Sequence, residues 1–216
     1  MEIVWLGYSC FRIRGRPAAK EVAVVTDPCP PTSGYTIGKQ NAMAVTISHD
    51  HANHSYRKGV SGEPQVLDSP GEYEIQGAFF TSIRTYRDRE KGTVRGRNLV
   101  FVIEMEDISI CHLGALGHIP TAEQVEKLTG VDVLLIPVGG TTTIDGAHAA
   151  EVVSMLEPRL VVPMHYGTPV APTLEPLDRF LKEMGVKSPE PQVKLPISRK
   201  TLPNETQLIV LNPKQR

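Results

Sequence analysis

Ala44-Val45-Thr46-Ile47-Ser48-His49-Asp50-His51-Ala52-Asn53-His54 is the stretch that decides how this chain is read. Its apolar, β-branched start reads as a buried strand. That strand runs straight into three of the chain's seven histidines. Layered α/β folds gather ligands at the C-terminal ends of their strands, so the cluster falls where a site is expected. Neutral imidazole is a good ligand for Zn²⁺, Mn²⁺ or Fe²⁺, and a sharp loop can turn several such side chains toward one point. The plainer alternative is a polar loop of solvated histidines. Three histidines directly after a buried strand favour the metal reading.

The flanking sequence supplies the frame. Met1 to Arg14 suggests two short strands around Gly7-Tyr8-Ser9, and Val22 to Thr26 a buried strand stopped by Asp27-Pro28. Further strands are expected at 65–67, 78–80, 99–104, 108–112, 133–137, 160–163 and 207–211. Thr121 with Gln124 has the form of a capping box and starts a helix to Leu128; Asp145 caps one to Leu156; a third covers Leu174 to Met184, with Gly185 as its stop. Ser188 to Pro196 reads as a linker to a last edge strand. Strands first, then strands alternating with helices, predict central sheets with helices outside.

At 216 residues the chain suits one domain, spanning 1–216. Opposite charges nearly cancel, at a net of −1, and 40% of residues are hydrophobic, the profile of an ordinary globular protein with no nucleic-acid partner. No apolar run approaches the ~20 residues that span a bilayer, and the N-terminus lacks a signal-peptide pattern, so no membrane partner and a cytoplasmic location are expected. Cys10, Cys29 and Cys111 form no CxxC pair and are expected to be reduced and buried.

The sequence resembles the metallo-β-lactamase superfamily, whose signature HxHxDH matches His49 to His54 at all but one ligand position. The nearer resemblance is to its group of small zinc-dependent hydrolases that includes the ascorbate-6-phosphate lactonase-like proteins. It is carried by Trp5-Leu6-Gly7-Tyr8-Ser9-Cys10-Phe11, Asp27-Pro28, Pro70-Gly71-Glu72-Tyr73-Glu74, Arg95-Gly96-Arg97-Asn98, His112-Leu113-Gly114-Ala115-Leu116-Gly117-His118 and Pro163-Met164-His165-Tyr166. The resemblance implies an α/β fold, a four-layer αββα sandwich with the metal site at one edge of its two sheets. It also implies metal ligands at His49, His51, His54 and His165, with Asp50 handling water only when metal is bound.

The departures from that pattern point one way. Asn53 stands for an Asp ligand, Ala115 for the bridging Asp, and Arg87 for a later histidine; Tyr8 stands where relatives often have His. Two anionic ligands are lost and a permanent cation is gained. Like charges ~4 Å apart repel by roughly 4 kcal/mol at an effective dielectric of about 20. If Arg87 faces solvent instead, Asp88 is a ligand candidate nearby. His112 and His118 are expected to support the site rather than ligate.

These changes predict a degenerate hydrolase without a complete dinuclear centre, holding no metal or one Zn²⁺ and binding a small anionic ligand. The alternative is a mononuclear zinc hydrolase on the four histidines. Arg84, Arg87, Arg89, Lys91, Arg95 and Arg97 read either as a solvated hairpin or as an anion clamp, and Gly139-Gly140 as a turn or an anion loop. Glu72 and Glu74 read as part of a turn or of the site. A homo-oligomer is compatible with the sequence, which names no substrate.

Overall fold

Along the first strand, successive side chains enter different cores. Ile3 and Trp5 join the main one, while Val4 and Leu6 join a smaller one on the opposite face. This is the period-two alternation of a pleated strand buried on both sides. The same division holds at Val24 against Val25 and at Ala44 against Val45.

The computed structural model describes residues 1–213. In chain order these form β1 (Glu2–Gly7), β2 (Cys10–Gly15), β3 (Val22–Thr26), β4 (Gln40–Asn41), β5 (Ala44–Thr46), β6 (Val60–Ser61), β7 (Gln65–Leu67), β8 (Gly71–Ile75), β9 (Ala78–Tyr86), β10 (Arg97–Met105), β11 (Ile108–His112), α1 (Ala122–Leu128), β12 (Val133–Pro137), α2 (Gly146–Leu156), β13 (Leu160–Met164), α3 (Leu177–Glu183), β14 (Leu195–Pro196) and β15 (Gln207–Leu208). One sheet has the order β14-β1-β2-β3-β5-β7, the other β15-β13-β12-β11-β10-β9-β8, and β4 pairs with β6 apart from them. Both large sheets are mixed. The run β3, β5, β7 is parallel in the first, as is β11, β12, β13, β15 in the second; their remaining pairs are antiparallel. This is the α/β arrangement of two central sheets expected from the sequence.

The main core contains Trp5, Phe11 and Ile13 from the first sheet and Phe80, Phe101, Ile103 and Ile110 from the second. β12 and β13 are buried at every position, as expected for central parallel strands covered on both faces. Ala149, Val152, Val153 and Leu156 of α2 and Phe180 of α3 join the same core. Over the first sheet, Cys29, Tyr35, Ile37 and Ala42 supply the cover, and the chain between β3 and β5 forms no α-helix.

All three expected helices form. The third begins at Leu177 rather than Leu174, because the residue before a proline is driven toward extended geometry and Pro176 itself is extended at the N-cap. Gly71 to Ile75 is a strand, paired antiparallel to β9 across a Gln76-Gly77 turn. The 188–196 linker ends in a short strand on β1, and the last strand stops at Leu208. Among the described residues no helix is long and apolar enough to cross a membrane.

The capping box at α1 is complete: the Gln124 N–H donates to Thr121 Oγ1, and the Thr121 N–H donates to Gln124 Oε1. Thr121→Ala should therefore cost about 1 kcal/mol. For a domain of this size that lowers the melting temperature by roughly 2–4 °C. A thermal scan showing no shift would mean that the box does not stabilise the fold.

Candidate metal centre

The parallel strands of both sheets point the same end of the molecule at one place. Asp27 follows β3, Ser48 and His49 follow β5, Ala115 follows β11, Gly139 follows β12, and His165 follows β13. The glycines permit close approach there. A Cβ on Gly139 would lie 2.1 Å from the His165 carbonyl oxygen, and one on Gly117 would lie 2.1 Å from the Arg87 carbonyl carbon and oxygen.

Asp27, fully buried, organises the cluster. Its Oδ1 accepts the Ser48 N–H at 2.7 Å, and its Oδ2 accepts the Ser48 hydroxyl at 2.5 Å and lies 3.1 Å from His54 Nδ1. Burial alone would raise its pKa, but the His54 hydrogen bond and the surrounding imidazoles outweigh it and hold the carboxyl at about 2. Asp27 is therefore an acceptor only, which fixes the protons around it. His54 must donate from Nδ1, leaving a lone pair on Nε2. Ser48 gives its proton to Asp27, so its oxygen accepts from His49 Nδ1 at 2.9 Å and the His49 lone pair also falls on Nε2.

That His49 Nε2 is buried and has no partner, as is His165 Nδ1. Ligand atoms of His49, His51 and His54 all lie within 4.8 Å of one another. The His165 ring sits 5.6 Å from that of His54, centroid to centroid. Burial pushes the pKa of His49 down to about 2 and that of His165 to about 3, in both cases helped by the neighbouring His54 and by the Arg87 charge. Neutral, inward-facing imidazoles with orphaned nitrogens are the donor set a divalent cation requires. The residues present fit such an ion. His51 is exposed, and its Nδ1 accepts the Asn53 N–H at 3.2 Å.

The other expected residues are distributed around this cluster. Asp50 is exposed and shares a cleft with His49 and Arg87. Arg87 is half-buried, and its charge is felt at His49, His51 and His165. Asp88 spends its carboxylate on the N–H groups of Glu90, Gly92, Val94 and Arg95, so it is a loop organiser with no free acceptor turned to the imidazoles. Ala115 is buried, and its N–H donates to Asn98 Oδ1 at 2.8 Å. His112 donates from Nε2 to the Ser9 carbonyl beneath Asp27, and His118 Nε2 accepts the Tyr86 N–H next to Arg87. Glu72 and Glu74 lie exposed on β8, opposite Thr81 and Phe79 of β9.

The roles of Asp27 and Ser48 were missed by pattern reading. Their signal was an acid ending a wholly apolar strand, which the following proline masked. Three non-glycine residues here are left-handed: Tyr8 (φ 46), Asp27 (φ 38) and His165 (φ 53). Such backbone costs of order 1–3 kcal/mol each and concentrates at functional sites.

Residues 2–165 match the beta-lactamase superfamily domain, and the chain belongs to the metallo-beta-lactamase superfamily. Within it, the chain falls in the UPF0173 metal-dependent hydrolase group. A UPF0173 protein of Pyrococcus furiosus is 30% identical over 78% of this chain and 84% of its own length. A UPF0173 metal-dependent hydrolase of Methanoculleus marisnigri is 30% identical over 78% and 82%. A crystal structure from Thermotoga maritima, described as a candidate Zn-dependent hydrolase of the superfamily, is 37% identical and superposes with a TM-score of 0.78 over 98% of each chain.

The proton arrangement has a pH consequence. His49 and His165 have folded pKa values below the unfolded 6.5, so below that pH the unfolded chain takes up protons that the fold refuses. Stability is thus full above about pH 6.5 and falls as pH drops toward 3, by on the order of 1 kcal/mol per pH unit for each imidazole. Asp27, depressed from 3.8, adds a further loss only below about pH 4. Urea denaturation in chelator should give clearly lower stability at pH 5.0 than at pH 7.5, and a flat profile would mean that these imidazoles are not held neutral.

Proposed function

We propose that this protein is a metal-dependent hydrolase working with one divalent ion, held by His49, His51 and His54 with His165 beside them. The observation that carries this reading is the pair of buried, unpartnered nitrogens of His49 and His165 in a cluster where Asp27 and Ser48 set the tautomers of His54 and His49. A buried polar atom without a partner is rare, and a cation supplies what this one lacks. The descriptions of the UPF0173 relatives as metal-dependent hydrolases support the same activity.

When bound, such an ion polarises a substrate carbonyl or phosphoryl oxygen and makes water more acidic. The chain's own residues do the rest. Asp27 and Ser48 keep the His49 and His54 lone pairs turned inward. Asp50, at the rim beside His49 and within 3.4 Å of Ser55 Oγ, can accept a proton from water at the cluster. The positive charge of Arg87 in the same cleft favours an anionic ligand.

The replaced positions restrict the site to one ion. Asn53 has no carboxylate, Ala115 buries a methyl group where the family pattern has a bridging acid, and Arg87 opposes a second dication nearby. A site stripped further, to anion binding alone, is the competing reading, and the Arg87 charge beside the imidazoles is what favours it.

Protein purified without a histidine tag should carry about one divalent ion per chain, and removing it should lower the melting temperature by several degrees, since a ligand at 100 times its dissociation constant stabilises by about 2.7 kcal/mol. His49→Ala should abolish both the metal and any turnover of phosphodiesters, lactones or β-lactams. A metal-free chain whose melting ignores zinc and chelator alike would establish the stripped site instead.

The triple variant Asn53→Asp, Arg87→His, Ala115→Asp should take up a second ion. It should also be less stable than wild type in chelator, because two carboxylates then face each other uncompensated. Metal analysis still giving one ion per chain would show that these three positions do not limit the count.

A further inference from the structure

A cleft of about 660 Å³ opens beside His49, between the ends of β5 and β7 on one side and β9 and β10 on the other. Its walls carry Arg57, Arg84, Arg87, Arg95 and Arg97 against two carboxylates, Asp50 and Asp68. Three positive charges are left in excess, on a chain whose own net charge is −1. Asp68 is already engaged by Arg57 at 2.6 Å.

Strand register places this charge. β9 buries Ala78, Phe80 and Ser82 on one face, and Arg84 is the next residue on that face. Arg84 lies opposite Leu99 of β10, and Arg97 is two residues from Leu99 on the same face. The apolar interior between the sheets therefore ends in guanidinium groups.

The hairpin from Arg87 to Gly96 is fixed in advance. Asp88 gathers four backbone N–H groups, the Arg87 N–H donates to the Gly96 carbonyl at 3.1 Å, and Arg87 Nη1 donates to the Arg95 carbonyl at 3.2 Å. Arg87 Nε–H, however, is buried with no acceptor. An unpaired cationic donor on a residue that lines a cleft with excess positive charge calls for an anion.

The amount of charge selects the class of anion. A carboxylate brings one negative charge, whereas a phosphate monoester brings about −1.5 to −2 at pH 7 and three acceptor oxygens that match guanidinium forks. A polynucleotide would want basic residues spread along a surface, and here they line one bounded cleft.

We infer that this cleft is a subsite for a phosphoryl group carried by a small molecule. The inference rests on the hydrolase reading only in calling that molecule a substrate; the cleft itself needs no metal.

The test is calorimetric titration of the full chain in chelator at constant ionic strength, with inorganic phosphate and with acetate as the monoanionic control. Phosphate should bind saturably, at least about tenfold more tightly than acetate, and the double variant Arg84→Gln, Arg97→Gln should lose about tenfold in phosphate affinity. Both side chains are exposed, so the variant should melt as wild type does and keep its metal content. Acetate binding as tightly as phosphate in wild type, unchanged phosphate affinity in the folded double variant, or tighter binding of a short single-stranded oligonucleotide would each overturn the inference. Because the titration excludes metal, a chain that binds phosphate yet purifies without an ion would sink the hydrolase reading and leave the subsite standing. A metal-bearing chain indifferent to phosphate would do the reverse.

Discussion

The buried carboxylate of Asp27 is the constraint on which the rest of the site depends. Taking an ionised carboxylate out of water costs several kcal/mol unless its oxygens are satisfied. Here both are, by the Ser48 amide, the Ser48 hydroxyl and His54. This satisfaction also directs protons, because an acceptor that never donates forces each neighbour into one tautomer. Two imidazoles thereby present lone pairs to the same space without any charged residue having to touch that space. Outer carboxylates orient metal-binding histidines in this way, and here the same orientation reaches a second imidazole through a serine.

The fold delivers these groups by strand direction. In each sheet the parallel strands end at the same edge, so residues far apart in sequence, such as Asp27, His49 and His165, need no long loops to meet. The second sheet contributes through backbone packing. Asn98 on β10 accepts the Ala115 N–H and donates to the Leu113 carbonyl and to Thr85, tying the turn after β11 to the sheet. The Leu99 N–H donates to the Ser48 carbonyl at 2.8 Å and joins the two sheets directly beside the cluster. Ala115 lies buried within this bonded turn.

Much of this was legible in the sequence, for a physical reason: strands buried on both faces are continuous apolar runs, and the runs at 22–26, 44–47, 108–112 and 133–137 each became a strand. The N-caps at Thr121 and Asp145 were equally legible because capping is local chemistry. What escaped notice depended on partners distant in sequence. Gly71 to Ile75 alternates polar and apolar residues too briefly to distinguish a strand from a turn until β9 pairs with it. The grouping of His49, His51 and His54 followed from adjacency in sequence, whereas the reach of Asp27 to Ser48 and His54 followed only from the pairing of β3 with β5. Asp88 could not be told from a ligand by composition, since its four amide partners lie in the hairpin that it organises.

The left-handed backbone at Tyr8, Asp27 and His165 bears on how this sequence can change. Glycine or asparagine accepts that conformation with less strain, although at Asp27 the gain would be offset by loss of the carboxylate's hydrogen bonds to Ser48 and His54. Such replacements would remove the aromatic ring beside His165, the carboxylate and the imidazole, one at each position. Relief of strain and retention of the cluster are thus mutually exclusive here. Laboratory selection for heat resistance alone would be expected to act at Tyr8 and His165 before Asp27, whose strain is offset by its hydrogen bonds.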